Sequence, residues 1–229
     1  MKAGAVALAL LPVPVWAADF ATPQGCEPFL TVQSMGCAVA LHWRCDMAPA
    51  GDHWEGVFDT EGLLSIAHYD GDYQWLETQY MWDGSREVTV GSDDPISLSD
   101  LLAGGMDTFA FTVRRTEGKT TEMQRVVGWD ELMGETVTID GVTLERTRTE
   151  HRYMTKDGDV AYHGRGQQYV SRDMRLFFLG QDEVMGDDGS VTTYDSTPVD
   201  FIHPGEPGFG KTQPLYGCDE IKTGYSDAG

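Results

Sequence analysis

Apolar and polar residues alternate along this chain in short runs, and little of it recurs at helical spacing. Trp54–Asp59, Leu63–Tyr69, Tyr73–Trp82 and Glu87–Val90 read as strands. Between such runs stand Asp70-Gly71, Asp83-Gly84, Asp140-Gly141, Asp157-Gly158 and Asp188-Gly189, with Glu61-Gly62 and Glu117-Gly118 in the same role. Asp-Gly suits tight hairpin turns, because both residues tolerate positive φ. Folding Phe109–Arg115 onto Thr121–Val127 about Gly118 sets Phe109, Phe111 and Val113 opposite Val127, Arg125 and Met123, a mostly apolar face. Helix signals are few. Ser97 with Asp100 forms a capping-box-like start that Gly104-Gly105 stops, and Trp129–Met133 reads as one helical turn. From Pro204 the chain is rich in Gly and Pro and reads as loop. No fixed-period repeat appears, which takes support from propeller and solenoid readings. The pattern predicts a mainly β fold: a single antiparallel curved sheet, half-barrel or sandwich, with one or two short helices.

The first residues follow a different rule. Lys2 precedes the apolar stretch Ala3–Val15, and Val15-Trp16-Ala17 fits a small-residue cleavage site. Residues 1–17 therefore read as an export signal, too short for a membrane span and interrupted by Pro12 and Pro14. Residues 18–25 form an N-terminal extension, 26–218 one disulfide-tied β domain, and 219–229 a flexible tail. Cys26 lies well past the cleavage point and lacks a lipobox, so no stable membrane anchor is expected.

Export gives the four cysteines a meaning, since an even count in an exported chain implies two disulfides. Pro28–Gln33 and Ala38–Arg44 read as strands joined by a two-residue turn at Met35-Gly36. A hairpin centred there faces Cys26 with Cys45. Bridging Cys37 to Cys45 would instead have to span eight extended steps, about 26 Å. The favoured pairs are Cys26–Cys45 and Cys37–Cys218; Cys26–Cys37 with Cys45–Cys218 is the alternative.

Charge narrows the partners. Across 229 residues, 37 Asp+Glu oppose 16 Lys+Arg, a net −21. Loss of Lys2 with the signal makes the mature chain −22. Nucleic acid and an anionic membrane surface are poor partners for such a chain. Against that background Val142–Arg172 stands out. Folding it about Asp157-Gly158 puts Arg146, Arg148, Glu150, Arg152, His163, Arg165, Gln167 and Tyr169 on one face. The other face carries Glu145, Thr147, Thr149, His151, Tyr153, Tyr162, Gly164, Gly166 and Gln168, so neither is the usual apolar half. Arginine forks suit carboxylate or phosphate, which makes Arg146, Arg148, Arg152, His163, Arg165 and Tyr169 a candidate anion site. A solvated face laced with cross-strand ion pairs explains the same residues, and so does a dimer contact.

Other chemistry is thinly signalled. The acidic clusters Asp70/Asp72, Asp93-Asp94, Asp157/Asp159 and Asp187-Asp188 fall at turns and lack a calcium-loop pattern. His203 beside Asp200 and His68 beside Asp70 are candidate bases, but no nucleophile motif accompanies them. Tyr73, Trp75, Tyr80 and Trp82 divide between two strand faces, which favours packing over a binding platform. No cofactor or metal is implied. The expected function is a non-enzymatic exported protein that binds a small-molecule or protein partner through a curved-sheet cavity or the Arg-bearing face. A carboxylate- or His-dependent hydrolase and a structural envelope protein are the alternatives.

Overall fold

The computed structural model describes residues 20–186 and 188–219; residues 1–17, read from sequence as an export signal, and nearly all of the expected 219–229 tail lie outside them. The described residues form β1 (Cys26–Ser34), β2 (Ala38–Cys45), β3 (His53–Phe58), β4 (Leu63–Tyr69), β5 (Trp75–Tyr80), β6 (Arg86–Asp94), α1 (Leu98–Gly104), β7 (Met106–Glu117), β8 (Thr120–Ile139), β9 (Val142–Met154), β10 (Val160–Ser171), β11 (Leu176–Met185), β12 (Val191–Asp195) and β13 (Pro198–Ile202). All thirteen strands belong to one antiparallel sheet. Consecutive strands pair from β1 through β12, and β13 returns to pair with β1 instead of β12.

That return rolls the sheet. Ser196 N–H donates to Gly180 O on β11, whereas Met35 N–H donates to Thr197 O from the β1–β2 turn. Two consecutive residues thus bond to opposite sides of the meander. No β12–β13 ladder closes it, so the sheet is a strongly curved, open roll. Among the described residues no helix is long and apolar enough to cross a membrane.

The turn chemistry follows the sequence. Asp140 and Gly141 both take positive φ, 47° and 78°, and join β8 to β9. Ser97 caps α1 by accepting the Asp100 N–H, and Gly105 ends it in the left-handed region. Leu98 and Leu101 of α1 are fully buried in the main core.

Three local expectations are corrected. Trp129–Met133 is strand, not a helical turn, and lies within β8. The pairing of β8 with β9 shifts between Leu132 and Thr136, where Gly134 has positive φ. A bulge thus takes up the irregularity that resembled a helix in sequence. The β7–β8 register differs by one residue: Phe109, Phe111 and Val113 face Gly128, Val126 and Gln124. The turn uses Gly118 and Lys119 as a two-residue loop, which moves the hairpin centre by half a step. The first hairpin turns through three residues, Met35, Gly36 and Cys37, because Ser34 pairs with Ala38. A shift between Pro28 and Leu30 then restores the expected alignment, and Cys26 still faces Cys45.

Both favoured disulfides form, Cys26–Cys45 and Cys37–Cys218. The second pins residues 203–218 across β1. Gln33 and Thr31 receive this belt: Gln33 Nε2 donates to Gln213 O, Leu215 N–H to Gln33 Oε1, and Gly210 N–H to Thr31 Oγ1. On the outer face of β2, Val39, Leu41 and Trp43 form a second apolar cluster with Phe58, covered by Phe20. β2 is therefore buried on both faces.

Candidate functional site

Rolling the sheet leaves a cavity of about 210 Å³ on its concave side. Ten of the thirteen strands contribute, largely through the two-residue period of their inward positions. β2 supplies Ala38, Ala40 and His42; β3 supplies Glu55 and Val57; β4 supplies Tyr69. Phe109, Asp130, Thr149, His151, Gln168 and Phe178 enter from β7 to β11, and Tyr73 and Trp75 from the β4–β5 segment. The small Ala38 and Ala40 leave the space, and aromatic rings wall it. Trp75 meets Phe111 edge-on at 5.6 Å and His151 at 5.8 Å. Tyr73 stacks on Tyr69 at 4.7 Å, and its hydroxyl donates to Phe177 O across the interior. Tyr73 holds φ at 75°, outside the strand region, which is why β5 begins only at Trp75.

One polar group of this cavity lacks any partner among the described residues. His42 is 1% exposed, and neither of its ring nitrogens has a hydrogen-bond partner. Burial drives its pKa down to about 3, assisted by the charges of His53 and Arg44. The ring is therefore neutral at physiological pH, with one donor and one acceptor unused. His53 behind it behaves similarly: burial lowers it to about 4, and its Nε2 is unpartnered. His151 is lowered to about 4, again chiefly by burial.

The carboxyls move the other way. Burial pushes Glu55 up to about 7, with a hydrogen bond to Tyr69 pulling back. Asp130, 6% exposed, also rises to about 7 by burial. A Thr149 hydrogen bond opposes that rise, and the charge of Asp107 adds to it. Asp107 faces Asp130 directly across the β7–β8 ladder and is itself raised to about 6, chiefly by burial. Its Oδ2 accepts the Ser97 N–H above α1. Among the described residues neither Glu55 nor Asp130 has an ion pair.

The Arg-bearing hairpin takes the expected register. Arg152 faces His163, Arg165 faces Glu150, Arg148 faces Gln167 and Arg146 faces Tyr169. Its cations lie on the outer face, each beside a carboxylate. Arg148 bonds Glu131, Arg152 bonds Glu150, and His163 Nε2 is 3.0 Å from Glu150. Arg165 bonds Glu183 at 2.7 Å, and Arg146 lies 3.5 Å from Glu135. Arg148 and Arg165 line an open groove together with Trp129 and Gln167. Tyr169 is half-buried. The opposite face of the same hairpin sends Thr149, His151 and Gln168 into the cavity.

The remaining sequence candidates are separate. His68 bonds Asp52 at 3.0 Å and lies flat on Trp54 at 4.0 Å between centroids. His203 is exposed, and its backbone N–H donates to Glu206. Neither ring has a serine, threonine or cysteine hydrogen-bond partner among the described residues. Asp70 and Asp72 act as turn and cap residues: Asp70 Oδ1 accepts the N–H groups of Asp72 and Gln74. Asp72 holds Ser97, Ser99 and Arg175. Among the described residues no group of three or more His, Cys, Asp or Glu could hold a metal ion.

His42, Glu55 and Asp130 were not singled out from the sequence. The available signal was Ala38-x-Ala40-x-His42, a strand whose inward positions are small and then polar while Val39, Leu41 and Trp43 fill the other face. No protein-family model matches this chain, and neither a curated protein nor a solved structure matches it.

Proposed function

We propose that this chain is an exported, non-enzymatic β protein that binds a small ligand in the cavity of its curved sheet. The observation that carries the reading is the cavity itself, an aromatic-walled space lined by Glu55, Asp130 and the buried His42, whose ring nitrogens have no hydrogen-bond partner. Buried polar groups left unpaired cost stability, and a ligand that pairs them regains it. The volume exceeds the roughly 150 Å³ that accommodates benzene. Apolar walls with a few convergent polar groups are the usual form of a small-molecule site. The outer Arg-bearing groove is the weaker candidate, because its cations are already committed to carboxylates. Two disulfides support export, since they persist in oxidising compartments, and residues 1–17 supply the signal in this reading.

The test is thermal unfolding with a panel of small aromatic compounds, on the mature chain and on Ala40→Phe, which fills the cavity from β2. A saturable rise in Tm with wild type that the variant loses is expected. No rise with any compound, or an equal rise in the variant, overturns the reading.

A further inference from the structure

We infer that the ligand of this cavity is a small organic cation, an ammonium group carried on a compact apolar body. This inference rests on the cavity being a ligand site and adds the ligand's charge class. Three features of the walls converge on it. No Lys or Arg lines the cavity, while Glu55 and Asp130 do. Neither carboxyl has a cationic partner among the described residues, although buried charges in proteins are normally paired. A bound cation supplies that missing partner.

The walls are the second feature. Tyr69, Tyr73, Trp75, Phe109 and Phe178 present aromatic surface on several sides. Ring faces carry negative charge density and attract ammonium groups, most strongly where water is excluded. The third is His42, whose buried ring is neutral and so sets no positive charge against a bound cation. An anionic ligand would meet two carboxyls and no cation. A neutral hydrocarbon would leave both carboxyls without a cation.

The experiment is calorimetric titration of the mature protein at pH 8 with three probes of one size: phenyltrimethylammonium, its neutral isostere tert-butylbenzene, and benzoate. Trp75 fluorescence serves as a second readout. The cation is expected to bind about tenfold or more tighter than the isostere, with benzoate weaker than both. In Glu55→Gln with Asp130→Asn, checked for fold by circular dichroism, the preference for the cation is expected to collapse while the isostere still binds. Equal or tighter binding of tert-butylbenzene or benzoate by wild type overturns the cation inference and leaves the cavity reading standing. No binding of any probe overturns both. The wild-type comparison decides the matter even where the double variant fails to fold.

Discussion

Replacing Asp130 by Asn tests the electrostatics of the interior without touching its shape. Asp130 is 6% exposed on β8, opposite Asp107 on one side and Thr149 on the other. Its pKa rises from 3.8 to about 7 on folding. The native chain therefore holds a proton between those values that the unfolded chain has released. Stability depends on pH as the protons bound unfolded minus those bound native, so Asp130 makes it fall as pH rises. Its contribution is intact below pH 3.8 and is lost as pH passes through about 7. The whole shift corresponds to about 4 kcal/mol, of which the interval from pH 5 to pH 7 carries about 2 kcal/mol. Asparagine keeps the volume and cannot ionise. Urea unfolding of both proteins at pH 5, 6, 7 and 8 measures the difference. Asp130→Asn is expected to gain on wild type steadily up to pH 7 and then level off. Parallel profiles would refute a carboxyl that is desolvated and without a cationic partner.

Three further outcomes follow from packing and covalent geometry. The Cys37–Cys218 bridge closes a separation of 181 residues and Cys26–Cys45 one of 19; loop entropy assigns them about 5 and about 3 kcal/mol. In urea, Cys37→Ala with Cys218→Ala should therefore lose more than Cys26→Ala with Cys45→Ala, and the reverse order would contradict the belt's role. At Gly180 a Cβ would stand 2.4 Å from Gln167 O, a backbone atom, whereas at Gly91 it would meet nothing within 4 Å. Gly180→Ala is expected to cost about 2 kcal/mol and Gly91→Ala within about 0.5 kcal/mol. On the outer face, Arg165→Ala should change stability by about 1 kcal/mol or less, and by less still in high salt, because the pair with Glu183 is solvent-exposed.

Local rules explain which parts were readable in advance. Asp140-Gly141, the Ser97 cap and the register of the Arg-bearing hairpin each depend on a few neighbouring residues, and each appears as expected. The disulfide pairing also followed, although by two compensating irregularities: a longer turn at Cys37 and a bulge after Pro28. What escaped was whatever depends on the roll of the whole sheet. His42, Glu55, Asp130 and His151 come from four strands spread over the chain, and only the curvature brings them to one cavity. Sequence drew notice to the Arg-rich face of the β9–β10 hairpin because its charge is unusual. The plainer face, with Thr149, His151 and Gln168, is the one turned inward. A polar inward face reads as solvated unless the sheet is known to curl around it.

The most direct test is a titration by nuclear magnetic resonance of the isotopically labelled mature protein with phenyltrimethylammonium. Ala38, Ala40 and Trp75 line the cavity, while Trp82, 65% exposed and not among its lining, reports non-specific contact. Saturable shifts of the two alanine methyls and the Trp75 indole, with Trp82 unmoved, are predicted. Cavity signals that stay still while Trp82 moves, or while nothing moves at millimolar probe, would contradict a ligand site inside the sheet.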